Sequence, residues 1–184
     1  GCWSECETVG FGADADWRAE LIAEDGSEFD IFLRGARVGR VRWGHGGLAL
    51  LYESWWKTRQ LREWRLAPDG DAAPVLLREA SYEDRYADPG SAVMQSDERG
   101  FARLLTAGDG ETIYRIGDGA SPEGDRPFLD RQDLAGGGTE RLFQSRAPWY
   151  EAPIALLDAG AARILTVRES PTEPGNVLLR ALGD

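Results

Sequence analysis

Hydrophobic and polar positions alternate in short runs along most of this chain. In "RQLREWRLA", Trp64 and Leu66 alternate with Glu63 and Arg65, so one face of an extended segment is apolar and the other polar. From Arg37 onward, runs of this texture are separated by Gly, Asp and Pro: "RVGRVRWG", "GLALLYESWW", "RQLREWRLA", "APVLLRE", "ARLLTAG", "ETIYRIG", "RPFLDRQDL", "TERLFQS", "APIALLD", "ARILTVRES" and "NVLLRAL". Short runs bounded by turn residues predict an all-β fold. Ahead of them, "DADWRAELIAE" over 14–24 has an acidic start, good helix formers, and Trp17 four residues before Leu21, which predicts a short helix. Asp25-Gly26 ends that run, and "EFDIFLRG" returns to strand-like content.

The sequence also repeats. Laid over itself with Leu66-Ala67 on Leu134-Ala135, it brings Gly70 onto Gly138, Val75 onto Phe143, Arg78 onto Arg146 and Tyr82-Glu83 onto Tyr150-Glu151 without a gap. The same strand ending recurs at Leu182. A repeat of roughly 40–50 residues with four strands is the size of a propeller blade. The predicted fold class is therefore all-β, a partial β-propeller of about three four-stranded antiparallel blades with the last one truncated. The boundaries that follow are a leading segment at 1–36, the remnant of a preceding blade; a blade at 37–80; a blade with an inserted loop at 81–146; and a truncated blade at 147–184 whose outer strand is missing. The surplus of the middle unit is expected in the stretch "GDGASPEGDRPFLDRQDL" and the "AGDG" turn.

Composition narrows the function classes. The chain is 184 residues long and 42% hydrophobic, and no apolar run approaches the ~20 residues of a membrane span, so no membrane association is expected. The formal charge is −11, and all but one of the 21 basic residues are arginines scattered among 32 acids, Lys57 being the exception. Nucleic acid is not an expected partner, because its affinity comes from clustered basic groups that displace counterions. The chain does not start with Met and its last strand-like run stops at "VLLRALGD", from which a fragment of a longer protein is expected. No targeting segment stands out, and the compartment stays open.

Most motif chemistry can be dismissed residue by residue. Lys57-Thr58 follows "ESWW" rather than the glycine loop whose amides cradle phosphates. "GADADW" and "PDGDAAP" lack the oxygen ligands that complete a calcium loop and read as solvated turns. Cys2 and Cys6 fall short of the about four ligands that zinc takes, and His45 lies far from them, so no metal or other cofactor is expected. No G-x-S-x-G nucleophile elbow occurs, and His45, in "WGHGG", reads as part of a hairpin turn between Trp43 and Leu48 rather than as a catalytic base. Paired carboxylates for sugar hydrolysis leave no sequence mark, since the spacing that matters is spatial; Glu53, Glu83 and Asp84 are available, with surface charge as the default. In "ESWWKTR", a regular strand would send Trp55 and Trp56 to opposite faces, one into the core and one toward a partner.

Several long stretches carry a specific resemblance. "VRWGHGGLALLYESWWKTRQLREWRLAPD", "SYEDRYADPGS", "GDGASPEGDRPFLDRQDLAGGGTERLF" and "ILTVRESPTEPGNVLLR" resemble, in order, the β-propeller of the prolyl oligopeptidase family of serine peptidases, and within it the glutamyl endopeptidase-like branch of bacteria and plastids. The resemblance runs from Arg37 to Asp184 and is much weaker over 1–36. It implies that Gly119, Pro122, Gly124 and Pro127 shape a bend before "FLDRQDL" and not a cofactor cradle. It also implies a propeller covering the mouth of an α/β-hydrolase domain of the same parent chain, admitting peptide substrates and shutting out folded proteins. The Ser-Asp-His triad would lie in that domain, so this chain alone is expected to be inactive. Cleavage after Glu would call for a fixed cation. Arginine supplies a bidentate fork, and Arg85, Arg126 and Arg168, beside the matched loops, are the candidate substrate-binding residues. The alternative is a freestanding β-sheet module that holds a protein or peptide through Trp55 and Trp56.

Overall fold

The structure is a computed structural model that describes residues 16–22, 28–34, 37–68, 72–108 and 110–182, with the backbone alone at 16–22, 28–34 and 37–39. Among the described residues there is no helix. The chain divides into two compact units, residues 1–83 with 98–101 and residues 84–97 with 102–184.

The first unit begins with β1 (Asp16–Ile22) paired antiparallel to β2 (Glu28–Arg34), from Asp16↔Arg34 to Ile22↔Glu28. Within the helix predicted over 14–24, the described residues 16–22 are a strand. Trp17, Ala19 and Leu21 alternate with Arg18 and Glu20, so the run fits a two-residue period as well as a helical one. A single helix shorter than ~12–15 residues is marginal by itself, and pairing along the whole length of β1 decides the matter. Cys2 and Cys6 lie outside the described residues.

Next come β3 (Arg37–Trp43), β4 (Ala49–Trp55), β5 (Gln60–Leu66) and β6 (Val75–Ser81), forming an up-and-down sheet in sequence order. The β3–β4 turn closes with the Gly44 N–H donating to the Leu48 carbonyl at 2.7 Å. Gly46 and Gly47 there adopt φ of 64° and 74°, which only glycine takes without strain, and His45 is exposed beside them. Leu48, Ala49, Leu50 and Leu51 are all buried, so β4 is covered on both faces, and Leu66 at the end of β5 joins that core.

The second unit holds β7 (Ser91–Ala92), β8 (Met94–Ser96), β9 (Ala102–Leu104), β10 (Thr112–Gly117), β11 (Phe128–Asp133) and β12 (Thr139–Gln144). Its four-stranded sheet runs β7-β10-β11-β12, with the separate β8–β9 pair inserted between the first and second strands. The surplus of the middle repeat therefore includes a strand pair as well as the 118–127 bend and the "AGDG" turn. A third sheet follows, β13 (Tyr150–Leu156), β14 (Arg163–Ser170) and β15 (Glu173–Ala181), three strands with β15 at its edge. Consecutive up-and-down antiparallel sheets, the last one a strand short, make this a partial β-propeller.

The internal repeat holds at the third strand of each sheet. Leu66 ends β5, while Leu134 and Leu182 directly follow β11 and β15. The first two are buried, and the third packs against the core of the second unit. Beyond that point the correspondence fails: Tyr82 lies in a turn after β6, whereas Tyr150 opens β13.

Within the second unit, Leu105, Tyr114 and Leu129 pack with Ala161 and Ile164, joined by Ile116, Leu142, Phe143, Leu156 and Leu182. The β7-β10-β11-β12 and β13-β14-β15 sheets thus share one apolar layer. The buried Tyr114 hydroxyl donates to the Ala159 carbonyl at 2.7 Å, tying β10 to the β13–β14 turn. Tyr114→Phe is expected to lower stability by about 1 kcal/mol, seen as a lower urea midpoint with an unchanged slope.

Candidate functional site

The sequence "GDGASPEGDRP" folds as a bend between β10 and β11. The Ser121 hydroxyl donates to the Gly124 carbonyl at 2.6 Å, and the Gly124 N–H returns to the Ser121 carbonyl at 3.0 Å. The Arg126 N–H then donates to the Gly119 carbonyl at 2.8 Å and closes the loop. Its polar backbone groups are spent on each other, as in a structural turn.

Where β12 gives way to β13, one buried side chain organises the backbone. The Ser145 N–H donates to the Pro127 carbonyl at 2.8 Å, extending the β11–β12 ladder by one step. Its hydroxyl donates to the Trp149 carbonyl at 3.0 Å and accepts the Glu151 N–H at 2.9 Å, while the Trp149 N–H donates to the Arg146 carbonyl at 3.1 Å. Arg126 and Arg146 therefore flank a bonded pair, and Trp149 is held a few residues further on.

Below this junction Glu151 is buried and fully engaged. It accepts Arg180 Nε and Nη2 at 2.8 and 2.9 Å and the Thr166 hydroxyl at 2.6 Å. Burial pushes its carboxyl up, but the hydrogen bonds from Arg180 and Thr166, with the charges of Arg180 and Arg168, together outweigh that and hold it below the ordinary carboxylate range. The other sheet of this unit has a comparable pair, Arg141 with Asp130 across β12 and β11, and the same guanidinium lies 4.0 Å from the Phe128 ring centroid. In the first unit Arg62 bridges the buried Glu53 at 3.2 Å and Glu79 at 2.7 Å.

The three arginines expected to bind substrate all lie in the second unit, in different states. Arg85, between β6 and β7, is exposed and paired with Asp125 at 3.3 Å, a contact worth little in water. Arg126 is half-buried, pinned by its backbone. Arg168, near the end of β14, is half-buried with its guanidinium 4.3 Å from the Trp149 ring centroid. Among the described residues, neither Arg126 nor Arg168 takes part in an ion pair. Beside them the Tyr150 phenol is raised, first by burial and then by the charges of Asp118, Asp125 and Glu169. Arg146, Trp149 and Tyr150, which lie in the same junction, carry no site signal in the sequence, because "SRAPWYE" has no strand period and no motif.

Trp55 and Trp56 are in the first unit. Trp55 ends β4 half-buried, and Trp56 falls in the following turn, 59% exposed, with Lys57 Nζ 5.8 Å from its ring centroid. The break in the strand places the two rings 6.5 Å apart, tilted, rather than on opposite faces. Of the carboxylates considered for hydrolysis, Glu53 is buried on Arg62, Glu83 pairs with Arg59 at 3.1 Å, and Asp84 accepts the Tyr86 and Ala87 amides in its own loop.

No protein-family model matches the chain. It is 39% identical over 150 residues to the probable glutamyl endopeptidase, chloroplastic, of Oryza sativa subsp. japonica, and 37% identical over 151 residues to the protein of that name from Arabidopsis thaliana. Over those stretches the chain is similar to one segment of each of these two proteins. The matches take in 74% of this chain and 16% of each relative, so the chain corresponds to about a sixth of their length. Among solved structures, it is similar to the β-propeller domain of the trilobed protease from Pyrococcus furiosus, with a TM-score of 0.43 and 9% identity, covering 97% of this chain and 54% of that one.

Proposed function

We propose that this chain is the noncatalytic propeller portion of a serine peptidase of the prolyl oligopeptidase family, one that cleaves after Glu. It lines and narrows the route by which peptides reach a hydrolase domain carried elsewhere in the same protein. The observation that carries this reading is the 39% and 37% identity to glutamyl endopeptidases over 74% of the chain. It is supported by the sheet-by-sheet β architecture and by a sequence with no G-x-S-x-G. Peptides pass because they are extended and thin; folded proteins are held back by the sheets themselves.

The test is labelling by a fluorophosphonate. The full-length gene product containing this segment is expected to be labelled at a serine outside residues 1–184 and to hydrolyse an unfolded peptide after Glu while sparing a folded protein with the same site. Labelling within the 184 residues, or an unlabelled full-length product, overturns the reading. The unlabelled outcome would favour a freestanding module gripping its partner through Trp56, whose 59% exposure is the observation in its favour.

A further inference from the structure

We propose that Arg168, held over the Trp149 ring, together with Arg146 and Arg126 at adjoining backbone positions, is the receptor for the acidic side chain of the bound peptide. This deepens the peptidase reading and rests on it, assigning the carboxylate to these groups and away from Arg85. In a chain of net charge −11, arginines find partners easily, and around this point Arg85, Arg131, Arg141, Arg163 and Arg180 are all in ion pairs. Arg126, Arg146 and Arg168 take part in none among the described residues. They are also neighbours. The Ser145–Pro127 hydrogen bond sets Arg126 and Arg146 at flanking positions, the Trp149 amide is bonded back to the Arg146 carbonyl, and the Arg168 guanidinium lies over the Trp149 ring.

The acid paired with it across the strands does not satisfy Arg168. Both Glu151 oxygens are taken by Arg180 and Thr166, so Glu151 feels the charge of Arg168 without bonding it. Contact with the indole face holds the Arg168 guanidinium in place 4.3 Å from the ring centroid, and its N–H groups are free to meet a carboxylate. Charge is sorted across the junction. Asp118, Asp125 and Glu169 gather at Tyr150, with Asp125 held by Arg85, and they repel a second carboxylate there. An acidic side chain is thereby directed to the Trp149 side.

Binding of two labelled peptides to the 184-residue chain, identical except for Glu or Gln at one position, tests this directly. The unsubstituted chain is expected to prefer the Glu peptide about tenfold, the scale of one charge-assisted bidentate contact. Arg168→Gln should remove most of that preference while leaving Gln-peptide affinity within about twofold, and Arg168→Lys should keep only a part of it, having charge without the fork. Arg146→Gln, at an exposed position, should halve the preference or more, and Arg85→Gln should leave it unchanged. Circular dichroism of each variant separates lost recognition from lost structure. Equal binding of both peptides by the unsubstituted chain, a preference that survives Arg168→Gln with Arg146→Gln, or at least tenfold tighter binding of a phosphoserine peptide overturns the receptor. The peptidase reading itself stands or falls on the labelling of the full-length product, so the two failures are distinguishable.

Discussion

Glu151→Ala is expected to destabilise the second unit by about 2–4 kcal/mol, whereas Glu140→Ala should cost under about 0.5 kcal/mol. Both carboxylates pair with an arginine at short range, Glu140 with Arg131 at 2.5 Å and Glu151 with Arg180 at 2.8 Å. They differ in environment. The Glu140–Arg131 pair is exposed on both sides, so water replaces what the mutation removes. Glu151 and Thr166 are buried, and truncating Glu151 strands the Thr166 hydroxyl and half of the Arg180 fork. Arg180 keeps some access to water, which places the effect at the lower end of what breaking a buried pair costs. Urea titration of the two variants side by side checks this.

The same pocket sets a pH dependence. The folded carboxyl of Glu151 lies below its unfolded value, so its contribution is fully present above the ordinary carboxylate pKa of about 4.3 and is lost as pH falls through the depressed folded value. Unfolding midpoints should therefore fall on acidification below about pH 4 more steeply in the unsubstituted chain than in Glu151→Ala.

Gly119→Ala should be nearly as costly, about 2–4 kcal/mol, although it adds one methyl group. Gly119 has φ of 61°, and a β-carbon there would lie 2.9 Å from the Arg126 carbonyl carbon and closer still to its oxygen. The obstruction is backbone, which cannot swing aside as a side chain would. Relieving it means opening the bond from the Arg126 amide to the Gly119 carbonyl, and with it the position of Arg126. Gly108→Ala, where a β-carbon meets nothing within 4 Å and φ is not in the left-handed region, is the matched control and should change the thermal midpoint little.

The strands were legible because their signal is local. Trp64 and Leu66 alternate with charged residues, and Gly, Asp and Pro punctuate the runs, so neither feature needs tertiary context. Residues 14–24 misled because a Trp17–Leu21 pair satisfies both periods, and the choice was made by a partner strand that no local rule sees. The repeat was readable at Leu66, Leu134 and Leu182, which end or follow the third strand of each sheet, and misleading at Tyr82 and Tyr150, which share a spacing from it but fall after β6 and at the start of β13. At the candidate site, the sequence could single out Arg85, Arg126 and Arg168 only by their place beside the matched stretches. That Arg85 is engaged by Asp125 while Arg146 is not could not be read there, because pairing depends on loops meeting in space. The role of Trp149 likewise comes from Ser145, a residue with no signature of its own.

The apolar layer shared by Tyr114, Leu129 and Ile164 has a consequence for the order of events on the ribosome. Synthesis delivers β7 through β12 before β13 exists, so one half of that layer can stand assembled and waiting when Ile164 emerges. The final three strands are then the dependent partner, templated by a surface already in place, while the earlier four owe them nothing for their pairing.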